Sequence, residues 1–220
     1  RFFGTKELPE LNLSAETIES IANECTRKGF TVPGVQKKLS LHLSHEKNGK
    51  ERLTLVGYPA GYILKPQTSD YPALPEAEYL VMQMAKITGI KTVPFALVRL
   101  SETGEFAYIT KRIDRAINGE KIAMEDFCQL DLKLTADKYK SSYERCGKIV
   151  KKYSENTVLD MTELFLRIVF SFVVGNSDMH LKNFSLIETS AGSNKYRLSE
   201  AYDMLPVNVI LPADKDQTAL

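Results

Sequence analysis

Residues 37–44, "KKLSLHLS", separate Leu39, Leu41 and Leu43 by single polar positions, the period of a strand with one buried face. "RLTLV" and "GYILK" continue in strand style, and "GYPAG" between them has the composition of a turn. The period then changes. "PEAEYLVMQMAKITG" (75–89) predicts a helix, with Pro75 in its first turn and Gly89 at its stop. "FALVRL" and "FAYITKRI" flank "SETGE" and predict a hairpin. Nearer the start, "LSAETIESIANECTRKG" (13–29) predicts a helix with Ser14 as N-cap, Glu16 and Glu19 in the first turns, and Gly29 at the end.

From Asp114 onward helical spacing dominates. In "DKYKSSYERCGKIVKKY", Tyr139, Tyr143, Cys146, Val150 and Tyr153 recur at that spacing. In "MTELFLRIVFSFVVG", Leu164, Phe165, Ile168, Val169, Phe172 and Val173 make a broad apolar face, which predicts a helix surrounded by core. "FSLIETSAGSNKYRLSEAYDM" predicts two short strands around the turn "AGSN". Strands with one helix, followed by helices, predict an α+β chain in two unequal halves, residues 1–113 and 114–220.

Composition narrows the function classes. The chain has 220 residues, 43% hydrophobic and 26% charged, which is ordinary globular composition. Its 29 basic and 28 acidic side chains leave a net charge of +1, excluding nucleic-acid binding through bulk charge though not through a local patch. Cys25, Cys128 and Cys146 show neither metal-ligand spacing nor a CxxC, and point to free thiols in a reducing cytoplasm. The longest apolar run, "LFLRIVFSFVVG", is too short to span a membrane and carries Arg167; no signal peptide is visible.

The candidate chemistry centres on "GNSDMHLKNFSL" (175–186), where Asp178 and Asn183 stand five residues apart between the apolar helix and the strand "FSLI". Asp and Asn favour turns, so a capped polar loop with a structural His180 is one reading. The other is a catalytic loop, because protein kinases set a carboxylate and a magnesium-ligating amide at that D-x-x-x-x-N interval. The motif alone does not separate them. Asp203 follows a predicted hairpin, where kinase-type enzymes hold a second metal ligand. Lys65 ends a strand, and Glu78 shares its helix face with Val81, Met82 and Ala85, so that carboxylate wants a cation. A first-turn glutamate favoured by the helix dipole is the plainer reading of Glu78. "TVPGVQKK" (31–38) offers the amides of Val35, Gln36 and Lys37 to a phosphate, whereas Pro33 has no N–H. A metal hydrolase using Asp178, His180 and Asp203 would want more than the three histidines present. The lysines of "KIVKKY" read as a solvated helix face, Tyr139, Tyr143 and Tyr153 as packing residues, and Cys128 as a small buried hydrophobe.

Taken in order, "TVPGVQKKLSL", "YILKP", "EAEYLVMQMAKITGI", "ITKRIDR", "MEDFCQL", "GNSDMHLKNFSL" and "AYDM" resemble the HipA family, bacterial serine/threonine kinases acting as toxins of toxin–antitoxin systems. The resemblance runs from about Phe30 to Met204. It implies a bilobal protein-kinase-like fold, a mixed-β N-lobe and a helical C-lobe that is incomplete because the sequence stops soon after Asp203. It implies ATP and Mg2+, with Asp178 as catalytic base, Asn183 and Asp203 as metal ligands, His180 as architecture and Lys182 steadying the transferring phosphoryl group. Lys65 matches the ATP-anchoring lysine and Glu78 its helix partner; Val35, Gln36 and Lys37 match the phosphate loop, and the backbones of Lys111 and Ile113 the adenine contact. Thr31 is the autophosphorylation candidate, and Pro33 stands where short relatives often carry a second serine. The implied substrate is an aminoacyl-tRNA synthetase, whose phosphorylation halts translation. The implied partners are a helix-turn-helix antitoxin, which alone would contact operator DNA, and a small HipS-like protein. The latter follows from the lack of material before residue 1, which suggests the short, HipT-like branch. The expected location is the cytoplasm, away from membranes. The alternative from another class is a kinase-like binding module that holds an antitoxin–DNA complex with little catalysis.

Overall fold

The structure is a computed structural model that describes residues 2–4, 38–45, 51–55, 60–100, 103–116, 120–211 and 218–220. The helix expected over 13–29, with Cys25, and the loop carrying Thr31, Pro33, Val35, Gln36 and Lys37 lie outside the described residues. The chain divides into two compact units. One comprises Arg1–Tyr79 and Pro94–Arg112, the other Leu80–Val93 and Ile113–Leu220.

The first unit is built on five antiparallel strands: β1 (Leu39–His45), β2 (Glu51–Leu55), β3 (Tyr62–Pro66), β4 (Phe95–Arg99) and β5 (Phe106–Lys111). Their order across the sheet is β2-β1-β3-β5-β4. Pairing Leu39 with Leu64, Leu41 with Tyr62, and Leu64 with Ile109 puts one alternate set of side chains on the same face. There Leu39, Leu41, Leu53, Tyr62, Leu64, Leu100, Ala107 and Ile109 form a core, with Phe2 and Phe3 packed against it. The next residue along each strand turns to the opposite face, so Lys65 on β3 stands beside Tyr108 on β5. Phe95 stacks on that tyrosine at 5.9 Å. The β4–β5 connection is the hairpin expected around "SETGE", closed by Leu100 N–H donating to Glu105 O at 2.9 Å.

Helix α1 (Leu74–Ile87) buries Glu78, Val81, Met82 and Ala85, one stripe at helical spacing. It stops as the sequence predicts. Gly89 adopts φ 89°, Ile90 N–H reaches Ala85 O at 3.0 Å, and Gly89 N–H reaches Lys86 O at 3.2 Å.

The second unit contains β6 (Met124–Asp126), β7 (Ser185–Glu188) and β8 (Tyr196–Leu198) in one antiparallel sheet, ordered β6-β7-β8. Its helices are α2 (Phe127–Leu130), α3 (Tyr143–Tyr153), α4 (Thr157–Val173) and α5 (Val207–Ile210). The expected β7–β8 hairpin is present. Buried Glu188 organises its turn by accepting from the N–H groups of Gly192 at 3.0 Å and Asn194 at 2.5 Å.

Three features depart from the sequence reading. Strand β6 adds a third strand; three residues carry no readable alternation, and only the pairing of Met124 with Ile187 defines it. Helix α3 starts at Tyr143, leaving Tyr139 outside it, because Ser142 caps the helix through Arg145 N–H at 3.3 Å. Helix α4 is not surrounded by core. Leu164, Arg167, Phe170 and Ser171 face inward, while Phe165 is 68% and Val173 72% exposed. The buried stripe is centred on Arg167, whose guanidinium reaches Glu163 Oε1 at 2.9 Å and Ser199 O at 2.7 Å. Among the described residues no helix is long and apolar enough to cross a membrane.

Candidate active site

The loop of interest begins where α4 ends. Asn176 N–H donates to Ser171 O at 2.8 Å and Gly175 N–H to Phe172 O at 3.2 Å, the paired bonds of a Schellman stop. Gly175 sits at φ 67°, in the left-handed region, and a Cβ there would meet Asn208 Cβ at 3.2 Å. The chain then runs through Met179, Leu181 and Phe184, all fully buried, which anchor the loop and present the residues between them. Asn176 Oδ1 accepts from Asp178 N–H at 3.3 Å. The carbonyl of Asp178 accepts from His180 N–H at 2.8 Å and from the Asn183 side-chain amide at 2.7 Å. Asp178 and Asn183 are thereby parts of one knotted turn rather than neighbours in sequence only.

The Asp178 carboxylate is 46% exposed. Its Oδ1 accepts a hydrogen bond from the Tyr139 hydroxyl and lies 3.9 Å from His180 Nε2. His180 is buried, and its ring meets Tyr139 edge-on at 5.0 Å. Burial pushes the histidine's pKa down; Asp178 and Asp203 pull it the other way without overcoming burial. A neutral imidazole follows, and among the described residues its buried Nδ1 has no hydrogen-bond partner. His180 therefore shapes the loop by packing.

Lys182 is engaged locally. Its Nζ donates to Asp126 Oδ2 at 2.6 Å, while Asp126 Oδ1 caps α2 through Gln129 N–H at 2.9 Å. Gln129 Oε1 returns the bond to Asp126 N–H at 2.9 Å, completing a capping box. Phe127 N–H also donates to Phe184 O at 2.9 Å, so α2 and the loop are joined twice. Asp126 was not a sequence candidate, although the D-x-x-Q spacing of "DFCQ" carries its capping signal.

Asp203 is reached through a fixed segment. Ala201 bridges Thr92, and the buried Tyr202 hydroxyl sits 2.5 Å from Ser185 Oγ and donates to Lys182 O at 3.1 Å. Burial raises the Tyr202 pKa, so the hydroxyl stays a donor. Asp203 itself has φ 61°, a left-handed conformation uncommon outside glycine and concentrated at functional positions. Its charge acts on His180, favouring the protonated ring against burial.

In the first unit, Lys65 Nζ meets Glu78 Oε1 at 2.5 Å, with both side chains buried. The same ammonium lies 5.4 Å from the Tyr108 ring centroid. Glu78 is thus a buried ion-pair partner; the first-turn acid of α1 is Glu76. Lys111 closes β5 with its N–H donated to Pro94 O at 2.9 Å, and Ile113 opens the second segment of the second unit.

The donor set suits magnesium. Asn183 commits its amide nitrogen to Asp178 O, so its carbonyl oxygen is the atom that could serve as a ligand, and Asp203 could add a carboxylate. Two protein oxygens completed by phosphates and water are how magnesium is usually held. Among the described residues no three His, Cys, Asp or Glu side chains gather into a self-sufficient metal cluster.

The geometry belongs to a class, a kinase-like fold with a D-x-x-x-x-N loop and a buried strand-lysine–helix-glutamate pair. The model of the HipA-like C-terminal domain matches residues 30–220, and the chain belongs to that family. A Haemophilus influenzae protein named "Putative kinase" is 30% identical over 213 residues, covering 91% of this chain and 59% of its own length. "Putative kinase Y4dM" of Sinorhizobium fredii is 33% identical over 187 residues, covering 80% of this chain and 44% of its own length. The chain therefore spans about half the length of the curated relatives it matches. Among solved structures, Shewanella oneidensis HipA, in complex with HipB and operator DNA, matches with a TM-score of 0.69 at 21% identity, over 99% of this chain and 56% of that one. The Helicobacter pylori proinflammatory kinase CtkA matches with a TM-score of 0.52 at 16% identity, over 80% of this chain and 65% of that one.

Proposed function

We propose that this chain carries the catalytic parts of an ATP-dependent serine/threonine protein kinase. The observation that carries the reading is the Asp178–Asn183 turn. It exposes a carboxylate while the Asp178 carbonyl holds the Asn183 amide nitrogen, which leaves the amide oxygen as the atom to ligate a cation. Phosphoryl transfer needs little covalent participation from the protein; it needs positioning and charge stabilisation. Asp178 accepts the proton of the acceptor hydroxyl. Asn183 and Asp203 hold magnesium, which when bound neutralises phosphate charge. Lys65, oriented by Glu78, pairs with the nucleotide phosphates, and the amides of Val35, Gln36 and Lys37 cradle them. The backbones of Lys111 and Ile113 take the adenine. Lys182 acts on the transferring group only by leaving Asp126, and while that pair holds its role is to fix the loop to α2.

The family and the HipA–HipB–DNA neighbour support a toxin of a toxin–antitoxin system, bound by a helix-turn-helix antitoxin that makes the DNA contacts. In this reading the acceptor is a hydroxyl of a protein such as an aminoacyl-tRNA synthetase, and Thr31 is the position for self-modification. Nucleotide binding tests the core of it. The full-length protein should bind ATP in a magnesium-dependent manner by calorimetry, and Asp203→Ala should remove that dependence. Wild-type protein that binds no magnesium–ATP would leave only a kinase-like binding module.

A further inference from the structure

We propose that Tyr139 is a positioning residue for Asp178, holding one carboxylate oxygen so that the other meets the acceptor hydroxyl; this rests on the phosphotransferase reading above. The Tyr139 hydroxyl donates to Asp178 Oδ1 across 39 positions of sequence. Among the described residues nothing donates to Asp178 Oδ2. His180 does not hold the carboxylate, because its Nε2 lies at 3.9 Å, beyond hydrogen-bond reach. Tyr139 therefore supplies the side-chain hydrogen bond that fixes a carboxylate otherwise free to rotate in solvent.

The tyrosine is itself held for this task. It lies in the turn between the 3-10 segment Thr135–Asp137 and α3. That turn is stitched to the catalytic loop by Leu181 N–H donating to Lys138 O at 3.2 Å. The Tyr139 ring has His180 edge-on at 5.0 Å and the Lys138 ammonium 4.8 Å from its centroid. Yet the residue is 46% exposed, so burying its ring is a partial reason for its presence. The hydroxyl is the part with a partner in the site. The general argument is that a base must sit within hydrogen-bond reach of the proton it accepts, and a displacement of about 1 Å is enough to lose about a hundredfold in rate.

The test separates hydroxyl from ring in the full-length protein. Initial rates of γ-phosphate transfer from labelled ATP to total protein extract of the host are measured for wild type, Tyr139→Phe and Tyr139→Ala, with Asp178→Asn as background. ATP affinity and thermal midpoint are measured in parallel. Tyr139→Phe should lower the rate at saturating ATP by about tenfold or more, with ATP affinity and midpoint unchanged, and Tyr139→Ala should transfer no faster. A Tyr139→Phe protein as fast as wild type overturns the inference while the phosphotransferase reading stands. A wild type that neither binds magnesium–ATP nor transfers phosphate overturns that reading, and the inference with it.

Discussion

The side-chain amide of Asn183 donates to the backbone carbonyl of Asp178 at 2.7 Å, so one buried residue braces the turn that carries Asp178. Asn183→Asp replaces a donor with an acceptor facing a carbonyl. With Asn183 buried, the substitution should destabilise the protein by about 1–3 kcal/mol and abolish magnesium-dependent nucleotide binding. Urea denaturation and calorimetry read the two effects separately. Unchanged stability would mean that the bond does not brace the turn.

Lys65→Met leaves the Glu78 carboxylate buried without its ammonium partner. The loss should be about 3–5 kcal/mol, as for other broken buried pairs. The double variant Lys65→Met with Glu78→Leu should recover most of that stability and still bind no ATP. A double variant that binds ATP like wild type would show that the pair serves the fold alone.

Gly175 stands at φ 67°, and a Cβ there would lie 3.2 Å from Asn208 Cβ, a tight contact. Gly175→Ala should cost about 1 kcal/mol or more, and it should slow phosphate transfer more than its stability loss explains, because the strain falls where α4 hands over to the Asp178 loop. Chemical denaturation and transfer rates on the same sample check this.

The thiols give a test of the second unit's packing. Burial pushes the Cys146 pKa up to about 12 and raises that of Cys128, so both stay protonated near neutral pH. At pH 8 roughly one Cys146 in ten thousand is thiolate, and thiolate is the reactive form. Neither residue should be alkylated by iodoacetamide in the native protein, and both should react after unfolding. Rapid native alkylation at Cys146 would contradict the packing of α3.

Much of this was readable in the sequence where the signal was local. Alternation at Leu39, Leu41 and Leu43 marks β1, and the glycine stop at Gly89 marks the end of α1, because strand faces and helix caps are set by neighbouring residues. The five-residue interval from Asp178 to Asn183 is likewise a local geometry, closed by a single turn. What stayed hidden is long-range. Tyr139 reads as a packing residue until its hydroxyl is found on Asp178, 39 positions away, and Lys182 as a phosphate contact until Asp126 is found on it, 56 positions away. The apolar period of α4 was plain, but several sectors of that helix are apolar. The pairing of Arg167 with Glu163 and Ser199 O decides which one faces inward.

The central claim is phosphate transfer with Asp178 as base. Brief expression of the full-length wild type and of Asp178→Asn, followed by quantitative phosphoproteomics, tests it most directly. New phosphoserine or phosphothreonine sites should appear with wild type and be absent with Asp178→Asn, the two proteins being equally folded. Identical phosphoproteomes, or the same new sites with both proteins, would contradict the account.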